Sequence, residues 1–208
     1  MKPALVFCEG YQDRSFLNAW LDSLGCQKAE APFTAPKGTY WKRSVGGREI
    51  AIIPVGGFAK MAQTVKDVVK AVDVDSCLLV VDTDDSSDTS CRSRRDQMTE
   101  AVKNAQGLPS NLEVVCWVPQ LETQIENALR ACFADRMEAV DAFLKGRPAP
   151  PKRTGKEAAF TYCAAWEPDS FGEDFFGWVW REAEVARTLS CDLAEVGSAL
   201  QRLLAPSD

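Results

Sequence analysis

The chain of 208 residues contains no histidine. That absence excludes Ser-His-Asp and Cys-His catalytic units and any histidine-ligated zinc. Acid–base chemistry would have to come from Asp, Glu, Lys, Tyr or a metal-bound water. No Cys-x-x-Cys pair occurs either: Cys8, Cys26, Cys77, Cys91, Cys116, Cys132, Cys163 and Cys191 stand singly. Zinc-ribbon and dithiol redox readings therefore lack support, and the cysteines read as small hydrophobes with free thiols. No run approaches the roughly 18 apolar residues that span a bilayer. The opening Met1-Lys2-Pro3 lacks the apolar segment and small-residue cleavage site of a signal peptide. A soluble, cytoplasmic protein with no membrane partner is the expectation. Positive charge is also in short supply, the formal net charge being −6. Such a chain has little non-specific attraction for a phosphate backbone, which is held mainly by Lys and Arg.

Apolar residues, by contrast, make up 46% of the sequence, enough for a sizeable core in one domain. Residues 3–8, 50–55, 77–81 and 112–118 read as strands, the first buried and the third a continuous apolar run as expected for a strand buried on both faces. Helical spacing fills 12–24, closed by Gly25, then 59–72, 91–105, 122–132 and 135–145. Residues 26–48 read as irregular, and 146–155 as a Pro-rich loop. Further helical stretches fall near 156–166, 172–187 and 192–204. Strands alternating with helices predict an α/β fold: a four-stranded, mostly parallel sheet with helices on both faces, followed by C-terminal helices. The expected division is an α/β core over 1–145, with 146–208 supplying the Pro-rich loop and helices packed on that core.

In such a sheet, ligands bind outside the carboxyl ends of the strands. Three patches place acids there. Leu5-Val6-Phe7-Cys8 runs into Glu9-Gly10, with Asp13 four residues beyond Glu9. Leu78-Leu79-Val80-Val81 runs into Asp82-Thr83-Asp84. The fourth strand leads to a helix with Glu122 and Glu126 on one face. Hard cations such as Mg²⁺ take oxygen ligands, commonly a few carboxylates with water and substrate phosphate. Carboxylates at i and i+2 of an extended segment project the same way and can share one cation. Each acid has a plainer reading: Glu9 and Asp13 as N-terminal caps, the Asp82 loop as a polar turn, Glu122 and Glu126 as an exposed helix face. Gly56-Gly57 could offer backbone N–H groups to an anion. Lys156, opening a helix after the Pro-rich loop, could face a phosphate. Basic groups cluster at Lys37, Lys42, Arg43 and Arg48, at Arg92, Arg94 and Arg95, and at Lys145, Arg147, Lys152, Arg153 and Lys156. These are either solvated faces or phosphate contacts. The Asp82-Thr83-Asp84-Asp85-Ser86 segment also echoes the Asp-x-Asp loop of haloacid-dehalogenase-type phosphatases, but that loop follows the first strand and this one follows the third.

The pattern Val6-Phe7-Cys8-Glu9-Gly10-x-x-Asp13-x-x-Phe16-Leu17, with Val80-Val81-Asp82-x-Asp84, resembles the Toprim domain. The acid four residues after the glutamate, Val55-Gly56-Gly57, the helix glutamate and Lys156 are most similar to OLD-type nuclease domains and small stand-alone Toprim-like proteins. The resemblance covers roughly residues 3–165. It implies a Mg²⁺-dependent nuclease, with Mn²⁺ able to substitute, acting on phosphodiester bonds of DNA or RNA. In it, Glu9 would be acid/base or metal ligand, and Asp82 and Asp84 would hold the cation. Asp13 and Glu126 would complete a second metal position, and Lys156 would steady the developing phosphate charge. The alternative it implies is a non-catalytic binding module in a phage defence or repair assembly, with a protein partner or as a homodimer. This sequence carries neither the tyrosine-bearing domain of topoisomerases nor the ATPase module of OLD proteins, so strand passage is not expected of it.

Overall fold

Apolar runs without polar alternation must be covered on both faces, and the fold does this. In the computed structural model, which describes residues 2–83, 87–145 and 173–205, the strands are β1 (Ala4–Cys8), β2 (Gln27–Lys28), β3 (Tyr40–Arg43), β4 (Glu49–Pro54), β5 (Ser76–Asp82) and β6 (Asn111–Trp117). The helices are α1 (Tyr11–Ser23), α2 (Phe58–Ala71), α3 (Asp88–Val102), α4 (Leu121–Cys132), α5 (Ala134–Lys145), α6 (Glu173–Arg181), α7 (Ala183–Asp192) and α8 (Ala194–Leu204).

The six strands form one mixed sheet in the order β2-β3-β4-β1-β5-β6. The four expected parallel strands are its core, with β1 paired to β4 on one side and β5 on the other, and β5 paired to β6. The expectation of a four-stranded sheet is corrected by β2 and β3, which lie within the supposedly irregular 26–48 and add an antiparallel edge on β4. Their signal was hidden. Both residues of β2 are exposed, and β3 is the short Tyr-Trp-Lys-Arg, whose Lys42 is buried but paired with Asp22. The expected helix 172–187 is two helices, α6 and α7, joined at Glu182, and the expected helix 156–166 lies outside the described residues.

Alternate residues of each strand feed opposite faces. Ala4, Val6, Ile50, Ile52, Leu78, Val80, Val115 and Trp117 pack against α1, α4 and the C-terminal helices. Leu5, Phe7, Ala51, Ile53, Cys77, Leu79 and Val81 pack against α2 and α3. Phe16 on α1 is the aromatic hub of the first face, with ring centroids 5.8 Å from Trp117 and from Phe176 and 5.2 Å from Trp180. The first two are edge-to-face pairs, and aromatic pairs of that kind contribute about 0.5–1.5 kcal/mol each beyond area burial. They tie α6 to the sheet. No helix among the described residues is long and apolar enough to cross a membrane.

This topology reverses the direction of winding beside β1. The chain runs from β1 outward to β4, then crosses back to β5 on the other side of β1. Consequently α1 covers one face and α3 the other. The helices leaving β1 and β5 diverge, and the gap between them is the topological switch point where open α/β sheets bind ligands.

Candidate functional site

Glu9 and Asp82 meet at that switch point. Glu9 follows the last residue of β1, and Asp82 is the last residue of β5, so their strands are hydrogen-bonded neighbours. Glu9 Oε1 accepts from the Asp82 backbone N–H at 2.8 Å, and Oε2 accepts from the Phe58 N–H at 3.1 Å. Phe58 is the first residue of α2, so the carboxylate also sits at the positive end of that helix. A carboxylate offers about four lone-pair sites, so each oxygen keeps one for a further partner.

The Gly56-Gly57 pair does a different job from the expected anion cradle. Both residues hold positive φ, 78° and 110°. This left-handed backbone suits glycine. Both N–H groups donate to the main-chain oxygen of Glu9, at 2.9 and 2.8 Å. The pair therefore turns the chain over the end of β1 and brings the α2 N-terminus to the Glu9 side chain. Lys60, exposed in the first turn of α2, places its Nζ 3.7 Å from where a Cβ on Gly56 would stand.

Asp13 is buried, 4% exposed, and its Oδ2 accepts from the Gly10 N–H at 2.8 Å. This is half of a capping box on α1, so the capping role is realised and holds the carboxylate at the rim. The Cys8 thiol registers the gathering. Burial pushes its pKa well up, and the charges of Asp13, Glu9 and Asp82 add to the rise while Arg14 opposes it. Three carboxylates thus act on one sulfur, and the helix N-termini beside them offset part of their mutual repulsion.

Beyond Asp82 the chain is pinned to its neighbour. Thr83 is 1% exposed, and its N–H donates to the carbonyls of Trp117 and Pro119 at 3.2 and 2.9 Å. Ser90 Oγ in α3 donates to the Thr83 carbonyl at 2.7 Å. The loops after β5 and β6 are thereby joined. Asp84 and Lys156 lie outside the described residues. Glu126 stands in the second turn of α4 and pairs with Arg130 at 2.8 Å, whose guanidinium also holds Asp141 of α5. Glu122, in the first turn of the same helix, is buried at 4% exposure. Among the described residues, no three acidic or thiol groups are grouped so as to hold an ion by themselves. The donor type nonetheless suits a hard cation: carboxylate oxygens only, at the open end of a parallel sheet.

The basic clusters divide. Lys42 pairs with Asp22, Arg43 with Glu49, and Arg48 with Asp75 near the opposite edge of the sheet. Arg95 pairs with Glu195 of α8. Arg94 remains at the rim, its guanidinium 4.2 Å over the Phe58 ring. Sequence reasoning passed over one rim residue, Tyr11. It is an aromatic placed off the Phe16-Leu17-Trp20 stripe at the first position of α1, and that displacement was the available signal.

No family model matches the chain, and no curated protein matches it. Among solved structures, a hypothetical protein from Pyrococcus horikoshii OT3 is similar, with a TM-score of 0.65 over 99% of this chain and 100% of that one. At 16% identity this likeness shows the fold alone, an α/β architecture.

Proposed function

We propose that the protein is a Mg²⁺-dependent nuclease of Toprim type, cleaving phosphodiester bonds of DNA or RNA, with Mn²⁺ able to substitute. The observation that carries this reading is that the Glu9 carboxylate accepts from the Asp82 backbone at the switch point between β1 and β5, with the buried Asp13 carboxylate capping the helix that follows Glu9. Asp82, with Asp84 beyond it, would hold the cation. Asp13 and an α4 acid would complete a second position. Burial in the first turn favours Glu122 for it, whereas the Toprim resemblance favours Glu126, which here pairs with Arg130. Glu9 already accepts two backbone N–H groups. It serves as acid/base or ligand through its remaining lone pairs, in a position fixed before substrate arrives. A bound cation would supply Lewis-acid stabilisation of the phosphate and a water of lowered pKa. Lys60 and Arg94 supply positive charge on the rim for the phosphodiester, and Lys156 is proposed to join them.

The test is cleavage of labelled DNA and RNA in Mg²⁺ and Mn²⁺ by the wild type and Asp82→Ala. Loss of the partners of a metal's own ligands commonly costs 10- to 100-fold. Removal of a ligand is therefore expected to cost about 100-fold or more. Wild-type cleavage that Asp82→Ala leaves unchanged would sink the assignment. The second reading, a binding module in a defence or repair assembly, draws on the engagement of Glu9 and Glu126 in protein contacts. Calorimetric titration separates the two. Millimolar magnesium binding that disappears in Asp82→Ala belongs to the nuclease, and no binding belongs to the module.

A further inference from the structure

Tyr11 is an exposed aromatic side chain, at 59% exposure, two positions after Glu9. A single exposed apolar group is ordinary; a ring held rigidly beside a candidate active site is not. Tyr11 is held from below. Its ring packs so closely on Gly38, a positive-φ residue (87°) at the turn entering β3, that a Cβ there would stand 2.7 Å from Tyr11 Cε1. The Arg14 guanidinium lies 5.0 Å from the ring centroid. Arg14 is itself fixed: it is buried, stacks 3.9 Å over the Tyr40 ring, and donates to the Gly38 carbonyl at 2.8 Å and to the Tyr40 hydroxyl at 3.2 Å. Tyr40 is the first residue of β3, which runs antiparallel to β4 and so begins at the rim where β4 ends. Gly38 accordingly reaches Pro54, the last residue of β4. The assembly Tyr11–Arg14–Tyr40–Gly38 thus stands on the same rim as Glu9, Asp13 and Asp82, on its β4 side. Exposed Lys37 adjoins it in sequence, and exposed Lys60 lies over the Gly56 turn.

We infer that Tyr11 is a stacking platform for an unpaired base of the nucleic-acid substrate, and that the substrate is single-stranded at this position. The inference rests on the nuclease reading of the same site and specifies its substrate class. A base inside a duplex hides both faces in the stack. An unpaired base offers one, and stacking on a protein aromatic tolerates any base. Because Gly38 and Arg14 already restrict the ring, little side-chain freedom is lost on binding. The phosphates flanking that base would meet Lys37 and Lys60 as point charges.

Fluorescence anisotropy in calcium, with a fluorescein-labelled thymidine oligomer, its uridine counterpart and a blunt DNA duplex, tests this. Tyr11→Ala is expected to weaken single-strand binding roughly 5- to 150-fold, the range for one lost base stack. It should leave duplex binding unchanged, and Tyr11→Phe and Tyr11→Trp should retain wild-type affinity. An abasic site at the stacked position should reproduce the Tyr11→Ala loss, and the two changes combined should cost no more than either alone. The thymidine and uridine arms read DNA against RNA. Single-strand affinity equal in Tyr11→Ala and wild type, with cleavage intact, overturns the platform and leaves the nuclease standing. Tyr11→Phe losing as much as Tyr11→Ala also overturns it, since the hydroxyl and not the ring would then matter. Wild-type protein that neither binds nor cuts any of the three substrates overturns both.

Discussion

The two ends of the parallel strands carry opposite electrostatic designs. At the amino end, buried charge is matched. Arg48 is 4% exposed, donates to Asp75 at 2.6 Å and to Ser76 at 2.9 Å, and also binds the carbonyls of Leu203 and Ala205 at the end of α8. At the carboxyl end, acids gather, with Asp13, Glu9 and Asp82 acting on Cys8 against the opposing charge of Arg14. Two thiols report the contrast. The pKa of Cys77, in the amino half of β5, is pushed up to about 12 by burial alone, while burial and three carboxylates together raise that of Cys8. A fold that wanted only stability would repeat the amino-end solution. The acids at the other end, tolerated through helix N-termini and backbone donors, are the feature on which the proposed cation site rests.

The strongest way to break this comparison is at the matched end. Arg48→Met would leave Asp75, Ser76 and two carbonyls without their donor. Breaking a buried pair from one side costs about 3–5 kcal/mol. The expected result is a fall in the urea midpoint with metal binding by the remaining folded protein unaffected. A loss below about 1 kcal/mol would mean that the amino end is not the structural anchor described.

Glu9→Gln probes the other end. In glutamine an NH2 donor takes the place of one carboxylate oxygen, and since Asp82 and Phe58 donate to different oxygens, one of the two N–H groups would face a donor. The loss of one charge-assisted bond is worth about 1.5–3 kcal/mol. Asp82→Asn, which removes a like charge from the cluster, should cost less than Glu9→Gln. Thermal melts of the two variants side by side sharpen the distinction between a carboxylate that holds the rim together and one that waits for a cation. Equal destabilisation by both would erase it.

The pH profile compares the ends at lower cost. Cys77 ionises near 9.0 in an open chain and at about 12 when folded. The folded protein therefore binds the proton more tightly over that window, and stability is retained below pH 9 and falls as pH rises through it. The Cys77 contribution lost by pH 10 is about 1.4 kcal/mol. Urea midpoints followed from about pH 8 to pH 10 should fall less steeply in Cys77→Ala than in the wild type. Identical slopes would show that burial does not hold this thiol protonated.

The parallel strands were legible because strands covered on both faces read as apolar runs: 3–8, 50–55 and 77–81 are unbroken, and 112–118 is interrupted only at Glu113, in the less buried amino half of the edge strand β6. The antiparallel edge was not, because Gln27-Lys28 has no buried face and Lys42 is buried through an ion pair that periodicity cannot express. Acids after strands were visible as candidates, but their meeting depends on β5 lying beside β1, and strand order is not written in local spacing. Tyr11 needed the third dimension as well, since its neighbour Gly38, and the Tyr40 ring that stacks on Arg14, come from the stretch read as irregular.

Glu126 offers the smallest effect and the finest discrimination. Arg130 stands four residues after it, and opposite charges at that spacing favour a pair on the helix surface; the structure has that pair. Arg130 is more than a third exposed and also holds Asp141. Solvent screening and a second partner therefore limit the worth of the contact to about 0.5 kcal/mol. Glu126→Gln is expected to shift the melting temperature by only about 1–2 °C, and to leave manganese binding unchanged, while Glu122→Gln weakens it. The reverse ranking would move the second metal position one turn along α4. In that case Arg130 would be a group that must release its carboxylate before the ion can bind, and the affinity for manganese would rise in Arg130→Ala.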